Sequence, residues 1–348
     1  MIDLRKYHSI FQSYWHLNRL AAKAGYETLS SRLRGAKPRP TWSVPFESTL
    51  RIMAMGAPHD EVHDVWQIRQ PVNDLARLPQ PLRVKRTQVI AGLAPAEWVD
   101  DVHSSAERIV LFIHGGGYIF GSPNTHRLIT ATVARTAGAR VLSLDYRLAP
   151  EHPFPAGLED AWAAYWWLLT QQVKPEQIVL MGDSAGAGLC VALMLALRDA
   201  GMPLTAGAAL LSPWLDLTLQ SESILKNEAT DYLTATGLNA AAQMYCDGFD
   251  AHHPQISPMF AELSGLPPLL IQTGTAETLL DDARRFAKRA KEAGVAVDLE
   301  EWEDMVHVFQ FWYLIETKAR QAVEHLGRFV RKQVSSATAT ATRSTVAL

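Results

Sequence analysis

The sequence has little cysteine, no long apolar run and little net charge. Its 348 residues include two cysteines, Cys190 and Cys246, which is too few for a disulfide framework and favours a reducing, cytoplasmic compartment. No run of about 18 apolar residues occurs, so no membrane span is expected, and the start lacks a secretory signal pattern. The net charge of −3 comes without a basic run, which argues against nucleic acid as a partner.

From about residue 84 onward, strand-like and helix-like segments alternate along the chain. The stretch VKRTQVI alternates in polarity like an antiparallel strand. Later runs are continuously apolar, as in strands that are buried on both faces, and helical stretches separate them. This alternation predicts an α/β fold with a mostly parallel central sheet flanked by helices. The apolar runs are RIVLFIH, ARVLSLDY, QIVLMGD, AGAALLSP and PPLLIQTG.

Other segments surround this core. Residues 1–80 are predicted to form a helical extension, and residues 81–212 and 255–332 the α/β unit. Residues 213–254 interrupt the alternation and are expected to join the N-terminal helices as a lid. Residues 333–348 are low in complexity, which predicts a disordered tail. The extension carries an apolar stripe at helical spacing, made of Tyr7, Ile10, Phe11, Tyr14 and Trp15.

The stretch GDSAG, residues 182–186, follows an apolar run and opens an apolar helix. It matches G-x-S-x-G, the tight strand-to-helix turn that exposes a nucleophilic serine at the mouth of a sheet. Small neighbours are needed there because the turn crowds the backbone. Ser184 is therefore the predicted nucleophile.

A serine hydroxyl needs a base, and in this architecture the order along the chain is serine, acid, histidine. His307 follows the last predicted strand, VAVDLEEW, and stands where a loop would hang over the serine. The other downstream histidines fit less well, because His325 falls in the last helix and His252 and His253 precede the strand that should bring the acid. His307 is the predicted base.

The acid should follow the run PPLLIQTG. Glu277 comes first after this strand, in the loop, and is the favoured candidate. Asp281 and Asp282 open a helix, where carboxylates complement the positive helix terminus. Asp281 remains the main alternative.

The stretch HGGG, residues 114–117, supplies backbone that can approach a substrate closely. Attack on a carbonyl creates an oxyanion, which needs preorganised N–H donors. One donor is expected from Ala185, after the nucleophile, and the others from the glycine loop. The loop does not match G-x-G-x-x-G and no P-loop lysine follows it, so a phosphate site is not predicted.

The stretch HDEVH contains His59 and His63, one helical turn apart. A zinc site of the H-E-x-x-H type needs glutamate directly after the first histidine, and Asp60 stands there instead. A solvated loop is the expected interpretation, and no metal is predicted.

In its ordered motifs the sequence resembles the hormone-sensitive-lipase-like carboxylesterases of the α/β-hydrolase fold, the bacterial family IV type. The resemblance covers about residues 80 to 332. The motifs are HGGGYIFGS, DYRLAPEHPFPA, GDSAG, SPWLD, ETLLDD and MVHVF.

The resemblance implies a triad of Ser184, Glu277 and His307, a helical cap, and no cofactor. It places the oxyanion donors at Gly116, Gly117 and Ala185, and implies a homodimer through the edge strand near Val295–Trp302. One departure concerns the acid. Most relatives carry aspartate there, in a D-P-L-x-D-E pattern, whereas this chain has Glu277 followed by Thr278.

The sequence therefore predicts a serine carboxylesterase that hydrolyses short- to medium-chain esters through an acyl-enzyme. Its partner is a small-molecule ester. The alternatives are a non-catalytic small-molecule receptor on the same fold, which the complete histidine motif argues against, and an amidase or other acyl hydrolase, which the triad does not exclude.

Overall fold

The computed structural model describes residues 4–36, 39–56, 65, 66, 69, 72 and 82–346, with side chains described from residue 19 onward except 54–56 and 339–346. At its centre is an eight-stranded sheet in the order β1-β2-β4-β3-β5-β6-β7-β8. β1 and β2 pair antiparallel and β2 is antiparallel to β4, whereas the pairs from β4 through β8 are parallel. The prediction of an α/β fold with a mostly parallel sheet is confirmed. The strands are β1 Lys85–Ala91, β2 Ala94–Asp100, β3 Ser105–Ile113, β4 Ala139–Leu144, β5 Ile178–Asp183, β6 Gly207–Leu211, β7 Leu269–Gly274 and β8 Val297–Trp302.

The central strands are apolar on both faces because helices cover both. In β3, Leu111 and Ile113 face one apolar core, and Val110 and Phe112 face the other. α4, α5 and α8 contribute to the first core, and α3 and α9 to the second. These helices are α3 Arg127–Ala137, α4 Ala156–Thr170, α5 Ser184–Asp199, α8 Leu280–Glu292 and α9 Thr317–Val346.

Four further helices lie outside this α/β framework in the described chain: α1 Leu4–Leu33, α2 Val44–Gly56, α6 Glu222–Asn227 and α7 Ala235–Cys246. α1 packs against α2, and Phe46 of α2 contacts a third apolar cluster that contains Met305 and Phe309. α6 and α7 are inserted between β6 and β7. The N-terminal helices therefore contact the loop after β8, and α6 and α7 lie in the connection between β6 and β7.

The tail differs from the expectation of disorder over residues 333–348, because α9 continues to Val346. No glycine or proline follows Gly327 to end the helix, although the serines and threonines of the segment are weaker helix formers than its alanines. Val330 and Val334 also remain buried against the sheet. The apolar stripe from Tyr7 to Trp15 lies on α1, but its side chains are outside the described ones.

Within the described residues, no helix combines the length and apolar character that a bilayer crossing requires.

Gly327 provides a test of the packing of α9 on α3. Glycine-to-alanine exchange inside a helix ordinarily stabilises by about 1 kcal/mol. A β-carbon at Gly327 would, however, lie 2.5 Å from the carbonyl oxygen of Thr136. We expect Gly327→Ala to lower the free energy of unfolding by about 1–3 kcal/mol.

The matched control is Gly25→Ala in α1, where a β-carbon meets nothing within 4 Å. This variant should be as stable as the parent or slightly more so. Urea unfolding monitored by circular dichroism measures both. Equal stabilisation by the two substitutions would contradict the close approach of α9 to α3.

Candidate active site

Ser184 lies at the junction of β5 and α5, in a left-handed backbone conformation with φ of 52°. The turn is possible because its flanks are glycine. A β-carbon at Gly182 would lie 2.6 Å from the carbonyl oxygen of Gly186, and one at Gly186 would collide with the carbonyl oxygens of Ile113 and His114. The strained turn and its crowded neighbours are the geometry that the G-x-S-x-G spacing predicts.

The glycine loop after β3 lies directly beside this turn. The N–H of Gly115 donates to Oδ1 of Asp183 at 3.0 Å. Gly116 and Gly117 have φ of 111° and 60°, which favour glycine. Their N–H groups find no acceptor in the described part of the chain. Ala185 is the second residue of α5, where N–H groups have no intrahelical acceptor.

Asp183 has a second partner that the sequence analysis missed. His126 Nε2 lies 3.2 Å from Oδ1 of Asp183, and both side chains are buried. Burial works against the charge of Asp183, but His126, His114 and the Gly115 N–H together hold the pKa of that carboxyl below its usual value. The pair thus fixes a carboxylate between the glycine loop and the serine. His126 precedes α3, and no spacing in the sequence relates it to Asp183.

His307 and Glu277 approach each other from the loops after β8 and β7. His307 Nδ1 lies 3.8 Å from Oε1 of Glu277, and both side chains are buried. Neither atom has a hydrogen-bond partner among the described residues. Oε2 of Glu277 accepts from the N–H of Gly274 at 2.7 Å and from the Ser212 hydroxyl at 2.8 Å. One carboxylate oxygen is therefore anchored, and the other faces the imidazole.

Ser212 also holds the loop of His307. Its Oγ accepts from the N–H of Val308 at 2.9 Å. Val308 has φ of 45°, an unusual conformation for a β-branched residue. The hydroxyl of Ser212 therefore connects the carboxylate of Glu277 to a strained turn next to His307.

Three carboxylates surround His307. Burial by itself would lower the pKa of its imidazole, but Glu277, Asp231 and Asp183 outweigh that effect and hold the pKa above its usual value. Asp231 comes from the insertion between β6 and β7, and Asp183 precedes Ser184.

The other candidate residues lie elsewhere. Asp281, the alternative acid, accepts from the N–H of Ser223 at 2.9 Å and lies beside Arg284 at the start of α8. His252 is exposed and pairs with Asp250. His325 pairs with Glu300 on the outer edge of the sheet, and His253 is exposed.

The insertion contributes polar contacts that the sequence analysis did not anticipate. Asn227 Nδ2 donates to the carbonyl of Glu277 at 2.8 Å, and the Thr230 hydroxyl donates to that of Ala276 at 3.0 Å. The Tyr232 hydroxyl donates to the carbonyl of His307 at 2.8 Å. The insertion therefore holds the loops that carry Glu277 and His307.

Aromatic side chains join α7 to the glycine loop. Tyr118, directly after Gly117, stacks on Tyr245 with ring centroids 3.8 Å apart and planes within 9° of parallel. A β-carbon at Gly117 would lie 3.2 Å from the β-carbon of Ala241. α7 therefore covers the glycine loop closely.

The N-terminal region contacts the loop of His307. Trp42 Nε1 donates to the carbonyl of Asp304 at 2.5 Å. Phe46 packs edge-on against Trp312 with centroids 5.3 Å apart. Thr49 accepts from Trp312 Nε1 at 2.8 Å. Residues on both sides of His307 are thus held by the loop before α2 and by α2 itself.

No three histidine, cysteine, aspartate or glutamate side chains are grouped to hold a metal ion among the residues that the structure describes. The stretch with His59 and His63 lies outside them.

Comparison with known proteins adds three findings. A family model described as the α/β-hydrolase fold matches residues 110–311. An acetyl-hydrolase of Streptomyces hygroscopicus is 46% identical over 244 residues, or 70% of this chain and 81% of that protein. An esterase of Acinetobacter venetianus is 37% identical over 266 residues, or 75% of this chain and 87% of that protein.

A solved structure agrees with these relatives. The crystal structure of an esterase from the bacterial hormone-sensitive lipase family superposes with a TM-score of 0.77 at 43% identity. The match covers 81% of this chain and 94% of the other.

Proposed function

Because the chain belongs to the hormone-sensitive-lipase esterases of the α/β-hydrolase fold, we propose that Ser184, His307 and Glu277 form its catalytic triad. The chain is a serine hydrolase that cleaves carboxylic esters. The observation that supports the assignment is the buried pair of His307 Nδ1 and Glu277 Oε1, in a chain whose Ser184 lies in a strained turn at the end of β5.

The proposed reaction uses these side chains in turn. Ser184 Oγ attacks the ester carbonyl carbon while His307 Nε2 takes the hydroxyl proton. The N–H groups of Gly116, Gly117 and Ala185 stabilise the oxyanion, and Glu277 stabilises the imidazolium. Collapse breaks the bond to the alcohol, which leaves with the proton from His307. Water, deprotonated by His307, then attacks the acyl carbon, and the bond to Ser184 Oγ breaks as that oxygen takes the proton from His307 and the carboxylic acid is released.

We propose that α2, α6 and α7 belong to a cap over this site. Four contacts support this: Ala241 of α7 beside Gly117, the Tyr118–Tyr245 stack, Asn227 of α6 on the carbonyl of Glu277, and Trp42, just before α2, on the loop of His307. Close packing of α7 on the oxyanion donors favours small acyl groups. The relative from Streptomyces hygroscopicus is named an acetyl-hydrolase, which agrees with a preference for short acyl chains.

We also propose a cytoplasmic homodimer that pairs through β8. Cys190 and Cys246 are both unpaired and buried, which suits a reducing compartment. β8 is the last strand of the sheet, and no described strand covers its outer edge.

The oligomeric state tests this pairing. Equilibrium sedimentation should give about twice the chain mass of 38.5 kDa. A single species at the chain mass at micromolar concentration would contradict the dimer and leave the catalytic assignment intact.

Replacement of the nucleophile tests the triad directly. Ser184→Ala should lower kcat for a chromogenic short-chain ester by about 10⁴-fold or more and prevent labelling by a fluorophosphonate. The control is Ser143→Ala, since Ser143 is a buried serine of β4 whose hydroxyl has no partner among the described residues. It should keep both activity and labelling. Full activity of Ser184→Ala would refute the mechanism.

Glu277 and Asp281 are distinguished by paired amide substitutions. Glu277→Gln should reduce kcat by about 10³–10⁴-fold, because an amide N–H toward Nδ1 selects the wrong imidazole tautomer. Asp281→Asn should cost at most about 1 kcal/mol of stability, as a charge at a helix start does, with kcat unchanged. The reverse order of the two kcat values would transfer the acid role to Asp281.

A further inference from the structure

Asp231 is a buried carboxylate that the triad does not include. It lies in the insertion between α6 and α7. Its side chain accepts hydrogen bonds from two different loops of the α/β unit. Oδ2 accepts from the N–H of Thr278 at 2.8 Å and from its hydroxyl at 3.1 Å. Oδ1 accepts from the N–H of His307 at 3.3 Å and from that of Tyr232 at 2.9 Å.

Together with Tyr232, this residue satisfies both backbone polar groups of His307. Asp231 accepts from the His307 N–H, and the Tyr232 hydroxyl donates to its carbonyl at 2.8 Å. The Tyr232 ring also lies edge-on to the imidazole, with centroids 5.9 Å apart. Two consecutive residues of the insertion thus fix the backbone from which the imidazole projects.

The triad needs such support. The contact between His307 Nδ1 and Glu277 Oε1 is 3.8 Å, longer than a hydrogen bond, so it does not by itself fix the relative position of the two loops. Thr278 is adjacent to Glu277, and Asp231 binds it directly. One carboxylate therefore connects the loop of the acid with the loop of the base.

We propose that Asp231 is a positioning residue of this esterase, which fixes the Glu277 and His307 loops relative to each other and adds a second negative charge beside the imidazolium. The inference rests on the proposed triad. In the attack step the imidazole becomes a cation, and a fixed carboxylate nearby stabilises that state without touching the substrate.

The charges around the imidazole agree with this role. The ionisable groups that face His307 are Glu277 after β7, Asp231 from the insertion and Asp183 at the end of β5. Burial raises the pKa of the Asp231 carboxyl to about 6. The charge of His307 lowers this pKa, and the charge of Glu277 raises it. The pKa of Tyr232 is raised well above its usual value, so this phenol stays neutral.

The test is the pH dependence of kcat/KM for the full-length enzyme with a chromogenic short-chain ester. The base must be neutral to accept a proton, so the raised pKa of His307 sets the acid limb of the wild-type profile. Asp231→Asn removes a negative charge that favours the imidazolium. We expect the acid limb to move to lower pH by about one unit. At the pH optimum, kcat should fall by about tenfold or more, and KM should stay within about twofold of the wild-type value.

Asp282→Asn is the matched control. Asp282 is likewise buried and accepts from two backbone N–H groups, those of Leu215 and Asp216, and from the Ser221 hydroxyl. These partners lie in the segment after β6, and none of them belongs to the loop of His307. This variant should lose stability while its acid limb stays at the wild-type position. An equal shift in both variants would show a general effect of destabilisation and overturn the proposal.

Thr278→Val provides a second variant in case Asp231→Asn does not fold. It removes one of the hydrogen bonds of Asp231 and keeps the charge. Lower kcat with unchanged KM and an unmoved acid limb supports positioning, and wild-type kcat contradicts it. If the wild-type protein hydrolyses no ester, the proposed function fails. If the wild type is active and Asp231→Asn matches it at every pH, only the role of Asp231 fails.

Discussion

The close approach of three backbone segments at the end of β5 is the constraint on which the site depends. Gly115, Gly182 and Gly186 lie where a β-carbon would strike neighbouring backbone or the carboxylate of Asp183. The glycine loop can pack directly beside the turn of Ser184 because all three side chains are absent. The site therefore requires main chain to pack directly on main chain, and the surrounding side chains keep that contact in place.

Around this contact, carboxylates act as connectors between loops that are distant in sequence. Asp183 accepts from the glycine loop and pairs with His126. Glu277 accepts from the Ser212 hydroxyl and the N–H of Gly274. Asp282 accepts from the backbone of the segment after β6. In each case buried N–H or O–H groups satisfy the oxygens, which is the condition under which a buried carboxylate is tolerated. The unpartnered Oε1 of Glu277 is the exception, and it faces His307.

The predictable parts of the molecule are those whose signal is local. Local spacing in the sequence determines three features: the buried strands, the turn at Ser184 and the glycine loop. Each depends on residues only a few positions away, so its pattern can be recognised in the sequence. Asp231 and His126 were missed because their partners, His307 and Asp183, lie 76 and 57 residues away. Only the assembled sheet brings them together. The helix over the tail was missed because a segment rich in serine and threonine does not favour a helix by itself, whereas the structure continues α9 there and buries Val334.

The contact between Trp42 and Asp304 joins positions 262 residues apart, near opposite ends of the chain. Contacts of such separation form late, because the intervening chain must be ordered first. During synthesis the turn of Ser184 emerges well before the loop that carries His307, and the surface on which the N-terminal helices dock is completed last. A nascent chain thus carries Ser184 before His307 has been synthesised, and the two residues come together only when the C-terminal part of the α/β unit has folded.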